Sequence, residues 1–88
     1  MKYRSRTDLV REILEAASSG GDDGVTKTKI MYKAFLSYSQ LKEYLAIMLD
    51  NGLLDYHGGT QTYRPTGKGF KFLRTYNQMD DIMKKVKA

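Results

Sequence analysis

Leu9, Ile13 and Leu14, with Val10 and Ala17 beside them, recur at helical spacing, while Arg11, Glu12 and Glu15 fall on the opposite side. Just ahead, Ser5 and Asp8 have capping-box spacing, aspartate standing in for the usual glutamate. The pattern predicts a helix that opens near Ser5 and stops by Ser18-Ser19-Gly20-Gly21, with Asp22-Asp23-Gly24 extending the loop. Thr26 then caps a second helix, roughly Lys27 to Ala34, with Ile30, Met31 and Ala34 inward and Lys27, Lys29 and Lys33 outward. Ser37 and Gln40 form a second capping box. The helix they open carries Leu41, Tyr44, Leu45, Met48 and Leu49 at steps of three and four, and it ends at Asn51-Gly52, where glycine takes the left-handed conformation.

After Gly52 the period changes. Leu53 to Tyr56 reads as a strand, His57-Gly58-Gly59-Thr60 as a turn, and Gln61 to Arg64 as the returning strand, closed by Pro65. Thr66 caps a fourth helix from Gly67 to about Val86. Along it Phe72, Tyr76, Met79, Met83 and Val86 are spaced 4, 3, 4, 3, the alternation of a coiled-coil seam. Phe70 and Leu73 lie off that stripe and are expected to pack on the domain body. The fold class expected is mainly α with a small β-hairpin, residues 1–66 forming one domain and residues 67–88 a helix continuous with it.

An 88-residue chain fits one domain with a thin core, which a partner chain would help to cover. The net charge of +5 attracts polyanions, although many small proteins carry as much for solubility alone. With no cysteine, and His57 the single histidine, neither a disulfide nor a metal cage can be built, and nothing suggests a cofactor. No apolar run approaches the roughly 20 residues of a membrane span. The opening Met-Lys-Tyr-Arg-Ser-Arg lacks a signal peptide's apolar stretch, so a cytoplasmic protein is expected. Catalysis is not expected either. Asp22-Asp23 and Asp80-Asp81 are adjacent pairs that do not face one another on a helix, no nucleophile–base set is evident, and Gly67-Lys68-Gly69 lacks the full phosphate-loop pattern.

Three helices, a hairpin and a last helix, with a short Phe-Leu-Ser turn between the second and third, make a helix-turn-helix followed by a wing. The run TKTKIMYKAFLSYSQLKEYL from Thr26 to Leu45, with DNGLL at Asp50–Leu54 and TGKG at Thr66–Gly69, resembles the small archaeal winged-helix DNA-binding proteins that carry a C-terminal dimerisation helix. The likeness extends from about Arg6 to Val86. It implies a short first strand at Val25, a recognition helix at about residues 38–51 in the major groove, a wing at residues 57–62, and a homodimer whose last helices form a coiled coil.

Carried onto this chain, the residues at the start of the third helix meet bases: Ser37, Tyr38, Ser39, Gln40, Lys42 and Glu43. The periodicity supports the same face, because Leu41, Leu45 and Met48 commit the other one to the core. Gln40 can pair with adenine or cap its own helix, Lys42 can reach guanine or phosphate, and Glu43 can accept from cytosine or pair with a lysine. Tyr38 and Ser39 read as phosphate contacts. Lys27 and Lys29 at the second helix, and Arg4 and Arg6 before the first, are the expected phosphate clamps, or else simply a solvated basic face. On the wing, Arg64 is favoured over Tyr63 as the residue facing DNA. Phe72, Tyr76, Met79, Met83 and Val86 are the expected dimer seam.

The expected partners are double-stranded DNA and a second copy of the chain, with no membrane and no metal, and the expected role is transcriptional regulation by a nucleoid-associated protein. An architectural, chromatin-like DNA binder with little sequence preference, or a protein-interaction winged helix that never touches DNA, would use the same fold.

Overall fold

The computed structural model describes residues 4–87, with side chains through Met79. The elements run α1 (Arg6–Ser18), β1 (Val25–Thr26), α2 (Lys27–Ala34), α3 (Tyr38–Asp50), β2 (Leu54–His57), β3 (Thr62–Pro65) and α4 (Gly67–Lys87), with a single 3-10 turn at Gly21–Asp23 between α1 and β1. Two capping boxes are present. Ser5 Oγ accepts from the Asp8 amide while Asp8 accepts from the Ser5 amide, and Ser37 and Gln40 repeat the arrangement at α3. Thr26 caps α2 by accepting from the Lys29 amide.

The three strands form one antiparallel sheet in the order β1-β3-β2. Val25 pairs with Tyr63, Tyr56 also pairs with Tyr63, and His57 pairs with Thr62. The hairpin differs from the expected tight Gly-Gly turn. Four residues, 58–61, link the strands, and the left-handed residue is Gln61 at φ 56° rather than either glycine. The strands start one residue later than the sequence pattern suggested, because the Leu53 amide still donates to the Met48 carbonyl at the end of α3 and Gln61 is in the left-handed region.

Ile13, Leu14, Ile30, Leu41, Met48 and Leu54 are fully buried and supply one core to α1, α2, α3 and the sheet. Burying each such side chain favours folding by about 1.5–3 kcal/mol. Leu73 joins this core from α4, but Phe70 does not; the expectation that both pack on the body fails for Phe70, which is half exposed beside Pro65 and Asp55. Gly69 sits where α4 passes closest to the domain. A Cβ there would lie 2.4 Å from the Leu53 carbonyl oxygen and 3.0 Å from a Leu14 methyl.

Two polar clusters lock α1 in place. The Arg4 guanidinium donates to Glu12 at 2.5 Å and to the carbonyl oxygens of Ala34 and Phe35 at 2.5 and 2.9 Å, which caps the C-terminus of α2. Phe35, at that cap, is left-handed at φ 55° and 83% exposed. At the other cluster the Tyr76 hydroxyl donates to Asp8, and the Arg11 guanidinium lies 5.2 Å from the Tyr76 ring centre. Phe72 and Tyr76 therefore rest on their own domain, with ring centres 6.4 Å apart, while Met79 is 60% exposed. Of the expected seam residues, Met83 and Val86 lie outside the described side chains.

Candidate nucleic-acid interface

The inward face of α3 is sealed: Leu41, Tyr44, Leu45 and Met48 are buried. Ser39, Lys42, Glu43 and Ala46 are therefore left exposed along the other face, with Tyr38 and Gln40 at its start. The Gln40 side-chain oxygen accepts from the Ser37 amide at 3.3 Å, so the cap engages its acceptor and leaves its amide N–H groups free. Glu43 forms no ion pair among the described residues.

The first turn of α2 meets the sheet at a groove, beside the start of α3. Lys27 Nζ lies 5.3 Å from the centre of the Tyr38 ring. Thr26, Lys27, Thr28, Tyr56, Gln61 and Tyr63 line the groove, whose volume is about 420 Å³. Tyr56 and Tyr63 pack with ring centres 4.8 Å apart, their planes tilted by 45°. Burial pushes the Tyr63 phenol above its ordinary pKa, opposed by the nearby charge of Lys27 and reinforced by Tyr56 and Tyr38.

Side chains alternate across a strand, so Tyr63 and Arg64 cannot share a face. Tyr63 lies with Val25, Leu54 and Tyr56 on the face toward the helices. Arg64 lies on the other face, donating to the Asp22 carbonyl at 2.8 Å and touching His57 Nε2 at 2.6 Å. A side chain at Gly24 would meet Arg64 Cγ at 2.9 Å, which places Arg64 against the loop before β1.

The residues named from sequence thus separate. Lys27, Lys29, Tyr38, Ser39, Gln40 and Lys42 stand exposed on α2 and α3, and Arg6 is exposed at the start of α1. Arg4 is bound into the domain and Arg64 faces away from the tyrosine groove. Tyr56 was missed as a site residue. The signal for it was its alternation with Leu54, which puts both on one side of β2. Among the described residues no cluster of His, Cys, Asp or Glu could hold a metal ion, and no helix is long and apolar enough to cross a membrane.

A helix exposed on one side, braced by a second helix across a short turn and flanked by a three-stranded sheet with a hairpin, defines a winged helix-turn-helix domain. The chain matches the winged helix-turn-helix family over residues 3–84 and belongs to it. Membership points to DNA binding. No curated protein matches the chain at a significant level.

Proposed function

We propose that the chain is a cytoplasmic, nucleoid-associated transcriptional regulator, neither an enzyme nor a cofactor carrier, that reads duplex DNA with α3 in the major groove and the hairpin at residues 57–62 alongside. The observation that supports this is the division of α3 into a buried apolar face and an exposed face bearing Ser39, Lys42 and Glu43. Lysine can donate to guanine edges or to phosphate. Lys27 and Lys29 clamp the backbone and fix the register without reading sequence.

The active species is a homodimer joined through α4. Met79 is largely exposed and continues toward Met83 and Val86 at seam spacing. Two-fold symmetry would offer two recognition helices to two half-sites. Changing Met79→Glu together with Met83→Glu should turn a dimer into a monomer in sedimentation at tens of micromolar and weaken specific DNA affinity. A wild-type monomer at that concentration rejects the seam.

Mobility shifts with Lys27→Glu, Lys29→Glu and Lys42→Glu combined test the DNA face. Unchanged duplex binding by that variant rejects it. Equal affinity for random and selected duplexes at fixed salt would favour the architectural role over regulation.

A further inference from the structure

Duplex readout by α3 engages Lys27 at the rim of the groove but leaves the rings of Tyr56 and Tyr63 without a use. A base inside a duplex is covered on both faces by its neighbours, so an aromatic side chain can stack on a base only where that base is unpaired. Tyr38 and Tyr56 are 54% and 48% exposed, and the tilt between Tyr56 and Tyr63 keeps the two rings from closing flat on one another. The groove between them and the first turn of α2 has the size of a small-molecule site, for which about 300–1,000 Å³ is usual. No acidic residue lines it. Lys27 reaches its edge with no carboxylate partner among the described residues.

We propose that this groove binds single-stranded nucleic acid, stacking an unpaired base on the exposed ring of Tyr56, which Tyr63 braces from the side, while Lys27 takes the adjoining phosphate. A platform of aromatic rings beside a cation is the arrangement that tracks single strands with little sequence preference. Gln61 and the hydroxyls of Thr26 and Thr28 offer donors and acceptors to the base edge. The site goes beyond duplex recognition and does not depend on α3 entering a groove. It would hold a strand end, a bulge or a melted segment.

The test titrates the full chain into labelled short oligothymidine, the matching oligouridine and a duplex, read by fluorescence anisotropy. Stacking one base contributes about tenfold in affinity. Tyr56→Leu should therefore weaken single-strand binding about tenfold and leave duplex binding within twofold, while Tyr56→Phe keeps both. Base protons of the bound strand should move upfield in NMR spectra of the wild type, a ring-current readout that needs no variant. The oligouridine arm shows whether the sugar matters, and binding of either strand supports the site. Absence of single-strand binding, absence of the upfield shifts, or an equal loss on duplex and single strand with Tyr56→Leu would overturn it. Loss of duplex binding in Lys42→Glu with oligothymidine binding intact would support stacking that does not need α3 readout, with Lys27 serving both surfaces.

Discussion

Along α1 the charged side chains answer one another, whereas along α2 and α3 they do not. Arg4 meets Glu12, Arg11 meets Glu15 and Glu12, and Asp8 accepts from Tyr76. On the other flank Lys27, Lys29 and Lys42 enter no ion pair among the described residues. An arginine that already caps carbonyls and pairs with glutamate must give those bonds up before it can bind phosphate, and a hydrogen bond to a charged group contributes about 1.5–3 kcal/mol. An exposed unpaired lysine gives up nothing but water. Position near the start of a DNA-binding domain does not sort the two cases; partner geometry does.

The largest effect is expected from Lys27→Glu, Lys29→Glu and Lys42→Glu together, which should cut duplex affinity at least about a hundredfold at moderate salt. The melting midpoint should stay within about 2 °C, as is usual for exposed surface changes. Arg4→Ala should do the reverse, lowering unfolding free energy in urea by about 1–2 kcal/mol, the lower end reflecting partial exposure. Its duplex affinity should remain within twofold while the protein is folded. A large affinity loss in Arg4→Ala without destabilisation would dissolve the contrast.

Tyr76→Phe sharpens the same contrast through pH. The Tyr76 hydroxyl, first, and the Ser5 amide hold the Asp8 carboxyl below its ordinary value. A carboxyl lowered in the folded state contributes stability that is complete above its unfolded pKa of about 3.9 and is lost as pH falls through the folded value. Wild-type melting temperature should therefore drop with acid below about pH 4, and Tyr76→Phe should make that drop shallower. An identical acid profile in the variant would count against the contact. The smallest effect is expected at Phe35. Its left-handed backbone favours glycine and its ring is mostly in water, so Phe35→Gly should stabilise the domain by about 0.5–1 kcal/mol in urea unfolding.

Local chemistry was readable from the chain and distant chemistry was not. Both capping boxes were visible because each spans only four residues, and the buried face of α3 was visible because Leu41, Leu45 and Met48 repeat within one helix. The role of Arg4 was hidden, since its carbonyl partners lie 30 and 31 positions away. The choice between Tyr63 and Arg64 was hidden too. One residue of register decides it, and that register depends on pairing with Val25 and Thr26, far off in sequence. The heptad stripe of α4 put Phe72 and Tyr76 on one side. Periodicity says only that residues share a face, not what covers it, and here Tyr76 meets α1 while Phe72 packs against the domain's own core.

Gly69 gives the last helix its fulcrum. With no side chain to hold them apart, the helix and the Leu53 carbonyl touch almost backbone to backbone, and Leu14 closes the gap from below. A single methyl inserted there would act as a wedge at the pivot of a lever. The displacement at Gly69 would be small, yet it would grow with every turn beyond, so that one methyl near the domain could reset the direction in which the whole helix leaves it.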